Sequence, residues 1–150
     1  MTPLQAKLHQ LQQIYTRRDA SWVTDFEGAL DEVAMLGESA CIPGLLRILD
    51  DGSEFDEVLF SIVHSVEGFP DSAYVPELLD ATEDLAQRAP RWSRILYMRV
   101  LNNDSTRAVL SSELVRQPAS TRAAVAGILA DIRARRPELA GRVDDVSGTS

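Results

Sequence analysis

The chain has 150 residues, 45% of them apolar, which is enough to bury one core without disulfide staples, so a single domain is expected over residues 1–143. Its one cysteine, Cys41, cannot pair within the chain, the stretch from Met1 to Leu11 lacks a signal peptide's apolar run, and nowhere do about 18 apolar residues follow one another, so a soluble, cytoplasmic protein is expected. The net charge of −8 is unevenly laid out: sixteen Asp and Glu between Asp25 and Asp84 meet one basic residue, Arg47, whereas eleven Arg between Leu85 and Arg142 meet four acids.

Helical periodicity accounts for nearly every apolar position, and the seven prolines fall at helix boundaries. Leu4, Leu8, Leu11 and Tyr15 predict a first helix that ends near Arg17 and Arg18, cations suited to a helix C-terminus. Ser21 or Asp19 can cap the second, whose stripe is Trp22, Phe26, Ala29, Leu30 and Val33 and whose end is Gly37. Ser39 opens a short helix through Ile42, Leu45, Leu46 and Leu49, stopped by Asp50-Asp51-Gly52; Phe55, Leu59, Ile62, Val63 and Val66 form the next stripe, stopped by Gly68 and Pro70. Ser72 is expected to cap a helix with Val75, Leu78, Leu79, Thr82 and Leu85, and Pro90 to start one with Trp92, Ile95, Leu96 and Val100. Ser105 opens a segment through Val109 and Leu114, Ser120 one with Val125, Ile128, Leu129 and Ile132, and a short helix can follow Pro137. Residues 144–150 have no apolar period and read as a tail.

Within this series lies a repeat. Glu38 to Leu46 matches Asp71 to Leu79 at an offset of 33 residues, with five identities in nine positions. Each copy follows an amphipathic helix and a Gly-containing turn, so the unit is a helical hairpin of the size used by α-solenoids and similar to the HEAT repeat. The serine would cap, the proline would sit in the first turn, and the Leu pair would pack on the preceding helix. The expected fold is all-α: antiparallel helical hairpins stacked as a short HEAT-like solenoid or arranged as an irregular bundle.

The residues offer little chemistry. His64 and Glu67 share a helix face, but no second constellation joins them, and no metal-binding HExxH, GxSxG, P-loop or dinucleotide pattern occurs. No enzyme activity, cofactor or metal is expected. Cys41 has acidic and apolar neighbours and reads as a buried structural thiol. Trp92 and Tyr97 read as core, and Arg133, Arg135 and Arg136 as a solvated helix end without the aromatic interleaving of a nucleic-acid site. The helix after Phe55 is more informative, because its polar face collects Glu57, Phe60, Ser61, His64 and Glu67. An outward ring among carboxylates has the composition of a binding surface, unless Phe60 packs on a neighbouring hairpin. Asp50, Asp51, Glu54, Asp56 and Asp71 flank it at the turns. Such acid density disfavours nucleic acid and membrane and steers a basic partner, although charges also simply keep helix surfaces solvated.

Ser61-Ile-Val-His64-Ser-Val-Glu67-Gly-Phe69, then Tyr74, Leu78-Leu79, Ala89-Pro90-Arg-Trp92 and Tyr97-Met-Arg99-Val-Leu101-Asn102, resembles the Immunity protein 30 family of bacterial polymorphic toxin systems over about a third of the chain. The resemblance implies a small all-α cytoplasmic protein that binds and neutralises a cognate toxin domain and carries out no chemistry. Tyr74, Pro90, Trp92 and Arg99 would then define the fold. Partner binding would rest on Asp50, Asp51, Glu54, Asp56, Glu57, Phe60, His64, Glu67 and Asp71, each carboxylate facing Arg or Lys of a basic toxin. A HEAT-like adaptor for a cellular protein would use the same surface.

Overall fold

In a computed structural model that describes residues 1–147, the first helix, α1 (Pro3–Arg17), opens on a reciprocal cap. Thr2 Oγ1 accepts from the Gln5 amide at 3.1 Å and the Thr2 amide donates to Gln5 Oε1 at 2.9 Å, while Pro3 occupies a first-turn position where its missing N–H removes no helical bond. Leu4, Leu11 and Ile14 are buried; Leu8 and Tyr15, counted in the sequence stripe, are half-buried. Arg18 ends the helix with a left-handed backbone, φ 60°, and starts the reversal into α2 (Trp22–Met35). This second helix buries the stripe expected of it and closes at Gly37, whose φ of +64° costs a residue with a Cβ about 1–2 kcal/mol.

A 3-10 turn, α3 (Ile42–Leu46) and α4 (Asp56–Glu67) complete a first unit, Met1–Phe69, in which α1 packs on α2 and both α2 and α3 pack on α4. A second unit begins at Pro70 and contains α5 (Asp71–Arg88), α6 (Pro90–Leu101), α7 (Asp104–Leu114), α8 (Ala119–Arg135) and α9 (Ala140–Ser147). There α5 touches α6, α7 and α8, the connectivity of a bundle around one central helix. The fold is all-α, with no strand among the described residues. The chain divides into these two compact units. Of the expected tail, 144–147 belong to α9 and bury Val146, and 148–150 lie outside the described residues.

The two repeat copies fold differently. Residues 38–46 make the 3-10 turn Ser39–Cys41 and the five-residue α3, with Pro43 in its first turn, whereas 71–79 begin the unbroken 18-residue α5 with Pro76 inside it. Neither serine caps as expected: Ser39 lies within the 3-10 turn, and Ser72 is already the second residue of α5 after Pro70. Gly44 stands where the second copy has Glu77, and glycine weakens a helix by about 1 kcal/mol. A Cβ at Gly44 would lie 2.9 Å from Leu8 Cδ1, so this glycine admits the Leu8 side chain against α3. In α5 an interior proline opposes the helix by about 3 kcal/mol, and burial of Tyr74, Val75, Leu78 and Leu79 around it offsets that loss.

Two carboxylates of α5 fasten later helices. Asp71 accepts from Ser105 Oγ at 2.5 Å and Thr106 Oγ1 at 2.7 Å; Glu83 accepts from Ser120 Oγ at 2.8 Å and Thr121 Oγ1 at 3.0 Å. Each hydroxyl pair is the second and third residue of its helix, so a negative group lies near the amide-rich start of α7 and of α8. Ser105 and Ser120, expected to open their helices, lie one residue inside them and tie them to α5; the cap of α7 is Asn103, whose Oδ1 accepts from the Thr106 amide at 3.0 Å.

Trp92 and Tyr97 are fully buried, as their helical spacing predicts. Thr82 Oγ1 donates to the Leu78 carbonyl at 2.7 Å, which leaves the Tyr97 phenol to donate to Thr82 Oγ1, also at 2.7 Å. Burial raises the Tyr97 pKa above that of an ordinary phenol, and the Thr82 bond opposes the shift. In the first unit Cys41 has no exposure, and burial pushes its thiol up to about 11, the opposite of what a nucleophile needs.

Thr82→Val, which strands a buried phenol, is expected to destabilise the protein by about 1–3 kcal/mol in denaturant unfolding, and Tyr97→Phe by about 1 kcal/mol, because Thr82 keeps its bond to Leu78. The double variant should lose less than the sum. A larger loss for Tyr97→Phe would reverse the donor assignment. Cys41 is expected to stay unreactive toward a disulfide reagent at about pH 8 in the native state and to react fully in denaturant; rapid native labelling would contradict its burial.

Candidate functional site

The two units differ in charge. Residues 1–69 carry twelve Asp and Glu against four Lys and Arg, whereas the chain from Pro70 onward carries eleven of each, so the whole net charge of −8 belongs to the first unit. In the second unit several arginines pair with acids of the same unit. Arg94 and Arg135 both reach Asp131, at 3.2 and 3.0 Å, Arg133 reaches Asp144 at 2.6 Å, and Arg136 reaches Glu138 at 2.5 Å. The Arg135 hydrogen bond, with Arg94 behind it, holds the Asp131 carboxyl below its ordinary pKa, and Arg136 does the same to Glu138.

In the first unit the segment leading into α4 is shaped by its own side chains. Asp50 accepts from the Gly52 amide at 2.9 Å and Ser53 Oγ from the Phe55 amide at 3.0 Å, so two short turns deliver the chain to the helix. Asp50 and Glu54 are exposed; Asp51 and Asp56 are half-buried. Asp56 and Glu57 occupy the first turn of α4 and His64 its last, which suits the helix dipole irrespective of any partner.

α4 buries Val58, Leu59, Ile62, Val63 and Val66. Its opposite face presents Glu57 and His64 to solvent, with Phe60, Ser61 and Glu67 half-buried between. The Phe60 ring lies 6.5 Å from the His64 ring, one turn on, and Ser61 Oγ donates to Glu27 Oε1 of α2 at 3.0 Å. Phe60 is therefore less exposed than its place on the helical wheel implies. Phe55 departs the other way: assigned to the core stripe, it precedes α4 and remains 37% exposed.

Asp71 stands apart from the other candidates. It belongs to the second unit, is half-buried, and both its oxygens accept from hydroxyls of α7, so its observed work is to position that helix. Among the described residues no group of three His, Cys, Asp or Glu could hold a metal ion, and no helix is long and apolar enough to cross a membrane.

Sequence reasoning missed a cluster at the end of α1. The Arg18 guanidinium lies over three rings, 4.2 Å from the centre of Trp22, 4.4 Å from Tyr15 and 4.9 Å from Phe55, and donates to the Tyr15 carbonyl. Trp22 meets Tyr15, Phe26 and Phe55 edge-on at 5.9, 6.3 and 4.9 Å. Cation–π contacts of about 0.5–1 kcal/mol each offset the left-handed backbone of Arg18, which costs about 1–2 kcal/mol. The adjacent Arg17 pairs instead with Asp19 at 3.0 Å and Asp25 at 2.8 Å, and its hydrogen bond lowers the Asp25 pKa. The available signal was an Arg pair at a helix end followed by aromatics at 22, 26 and 55.

The family whose description is Immunity protein 30 has a sequence model that matches residues 13–110, from α1 to α7. Comparison with curated proteins and with solved structures gave no match. The family match is wider than the short pieces of the resemblance, since it takes in the Arg18 cluster, all of α4 and the buried Thr82–Tyr97 pair. Covering well over half of the sequence, it establishes that this chain belongs to the Immunity protein 30 family.

Proposed function

We infer that this immunity protein binds a cognate toxin domain of basic character through the acidic face of its first unit and neutralises it by covering the toxin's active site, in the cytoplasm of a bacterium. The observation that carries the reading is the confinement of the entire net charge of −8 to residues 1–69, in a chain whose family is that of an immunity protein. A field of that sign raises the encounter rate with a basic partner, an advantage where an arriving enzyme must be silenced before it acts.

The contact residues in this proposal are Asp50, Asp51, Glu54, Asp56, Glu57, Phe60, His64 and Glu67. Glu57 and His64 are exposed on α4, and the half-buried Phe60 supplies apolar area between them. The carboxylates would take up Arg and Lys of the toxin, and desolvation around Phe60 would strengthen those pairs. Asp71 is left out, because Ser105 and Thr106 already use both its oxygens.

The test is co-expression with the product of the neighbouring gene, capture of the pair and titration of the complex. A basic toxin domain should be retained and should dissociate as salt rises. Glu57→Lys combined with Glu67→Lys should weaken its binding at least about tenfold with unchanged helicity by circular dichroism. Unchanged affinity would remove this face from the interface, and reproducible capture of a host protein in place of the toxin would replace the immunity reading with the adaptor.

A further inference from the structure

An acidic field by itself attracts any basic protein, since long-range electrostatics carries no shape. Discrimination needs a directional group inside that field, and the first unit holds one. Arg18 is exposed, yet its guanidinium carbon lies over the rings of Trp22, Tyr15 and Phe55 at 4.2–4.9 Å. One N–H is engaged by the Tyr15 carbonyl, and among the described residues no carboxylate pairs with it, whereas neighbouring Arg17 holds two. A guanidinium carries five donors in a planar fork. Here the fork is fixed at the left-handed end of α1 and held against aromatic rings, so little side-chain freedom remains to be lost on binding.

We propose that Arg18 is the specificity anchor of the interface: it receives, in a two-pronged hydrogen bond, the carboxylate of an Asp or Glu side chain set within the basic face of the toxin. This rests on the immunity reading above. A phosphate is disfavoured as the occupant, because the surrounding unit carries a net charge of −8, which repels a polyanion but not a single carboxylate embedded among cations. Arg, Trp and Tyr are the residue types that concentrate binding energy at interfaces, and Phe55, 37% exposed beside the guanidinium, supplies the apolar rim that excludes water from the pair.

The experiment measures the toxin affinity of wild type, Arg18→Lys and Arg18→Gln, with each Asp and Glu of the toxin's basic face changed in turn to Asn or Gln. Arg18→Lys keeps the charge and loses the planar fork; Arg18→Gln makes the unit more acidic, which on electrostatics alone would tighten binding to a basic partner. Both are expected to weaken binding at least tenfold, and one toxin carboxylate should show non-additive coupling with Arg18. Wild-type-like affinity in the two variants overturns the proposal. So does weakened binding in which every cycle is additive and hydrogen exchange over residues 50–56 rises, because Arg18 would then be only a strut for that segment. Failure of wild type to bind the toxin would instead count against the immunity reading itself.

Discussion

Every α-helix starts with four amides that its own carbonyls cannot reach, and each of the nine α-helices among the described residues faces that demand. Thr2 and Gln5 close the start of α1 on themselves, and Asn103 closes α7. For α7 and α8 the second and third residues are Ser-Thr pairs whose hydroxyls bond to carboxylates of α5. A single helix thus places negative charge near two helix starts and sets where both helices lie. The same helix fully buries Val75, Leu78, Leu79 and Leu85.

In the second unit acids and arginines are equal in number and largely consume one another in ion pairs. Exposed pairs of this kind stabilise by only about 0–1 kcal/mol each. The equal numbers leave that unit neutral, with the excess of acids on residues 1–69. The arginines at the end of α8, read from the sequence as a solvated helix end, also pair with acids there.

Within the first unit α4 has two duties. Its apolar stripe is buried against α2 and α3, and Ser61 fastens it to Glu27 of α2. What remains outside is narrow: exposed Glu57 and His64 with part of Phe60 between. Dipole complementarity alone accounts for acids at the start of α4 and an imidazole at its end. The partner-binding reading therefore draws its weight from the charge of the unit as a whole and from the family, and less from any single carboxylate.

The periodicity of the sequence determined the helices and most of the core: Trp22, Phe26, Leu30, Leu59, Ile62, Val63, Leu78, Leu79, Trp92, Leu96, Val125 and Leu129 are all buried as their spacing predicts. It did so because helical burial repeats at three and four residues, an order local enough to read along the chain. The candidate acids were equally legible as types, since solvent-facing carboxylates need no particular neighbour. Tertiary structure alone decided the rest. Asp71 became a helix clamp through hydroxyls 34 and 35 residues away, and Ser120 and Thr121 found Glu83 at separations of 37 and 38. The two repeat copies diverged because one packs a glycine against Leu8 and the other packs tyrosine and leucine around a proline. Arg18 found its rings because the reversal after α1 and the turn before α4 bring residues 15, 22 and 55 together. Such contacts depend on where one element lies against another, and no local pattern of residue types encodes that placement.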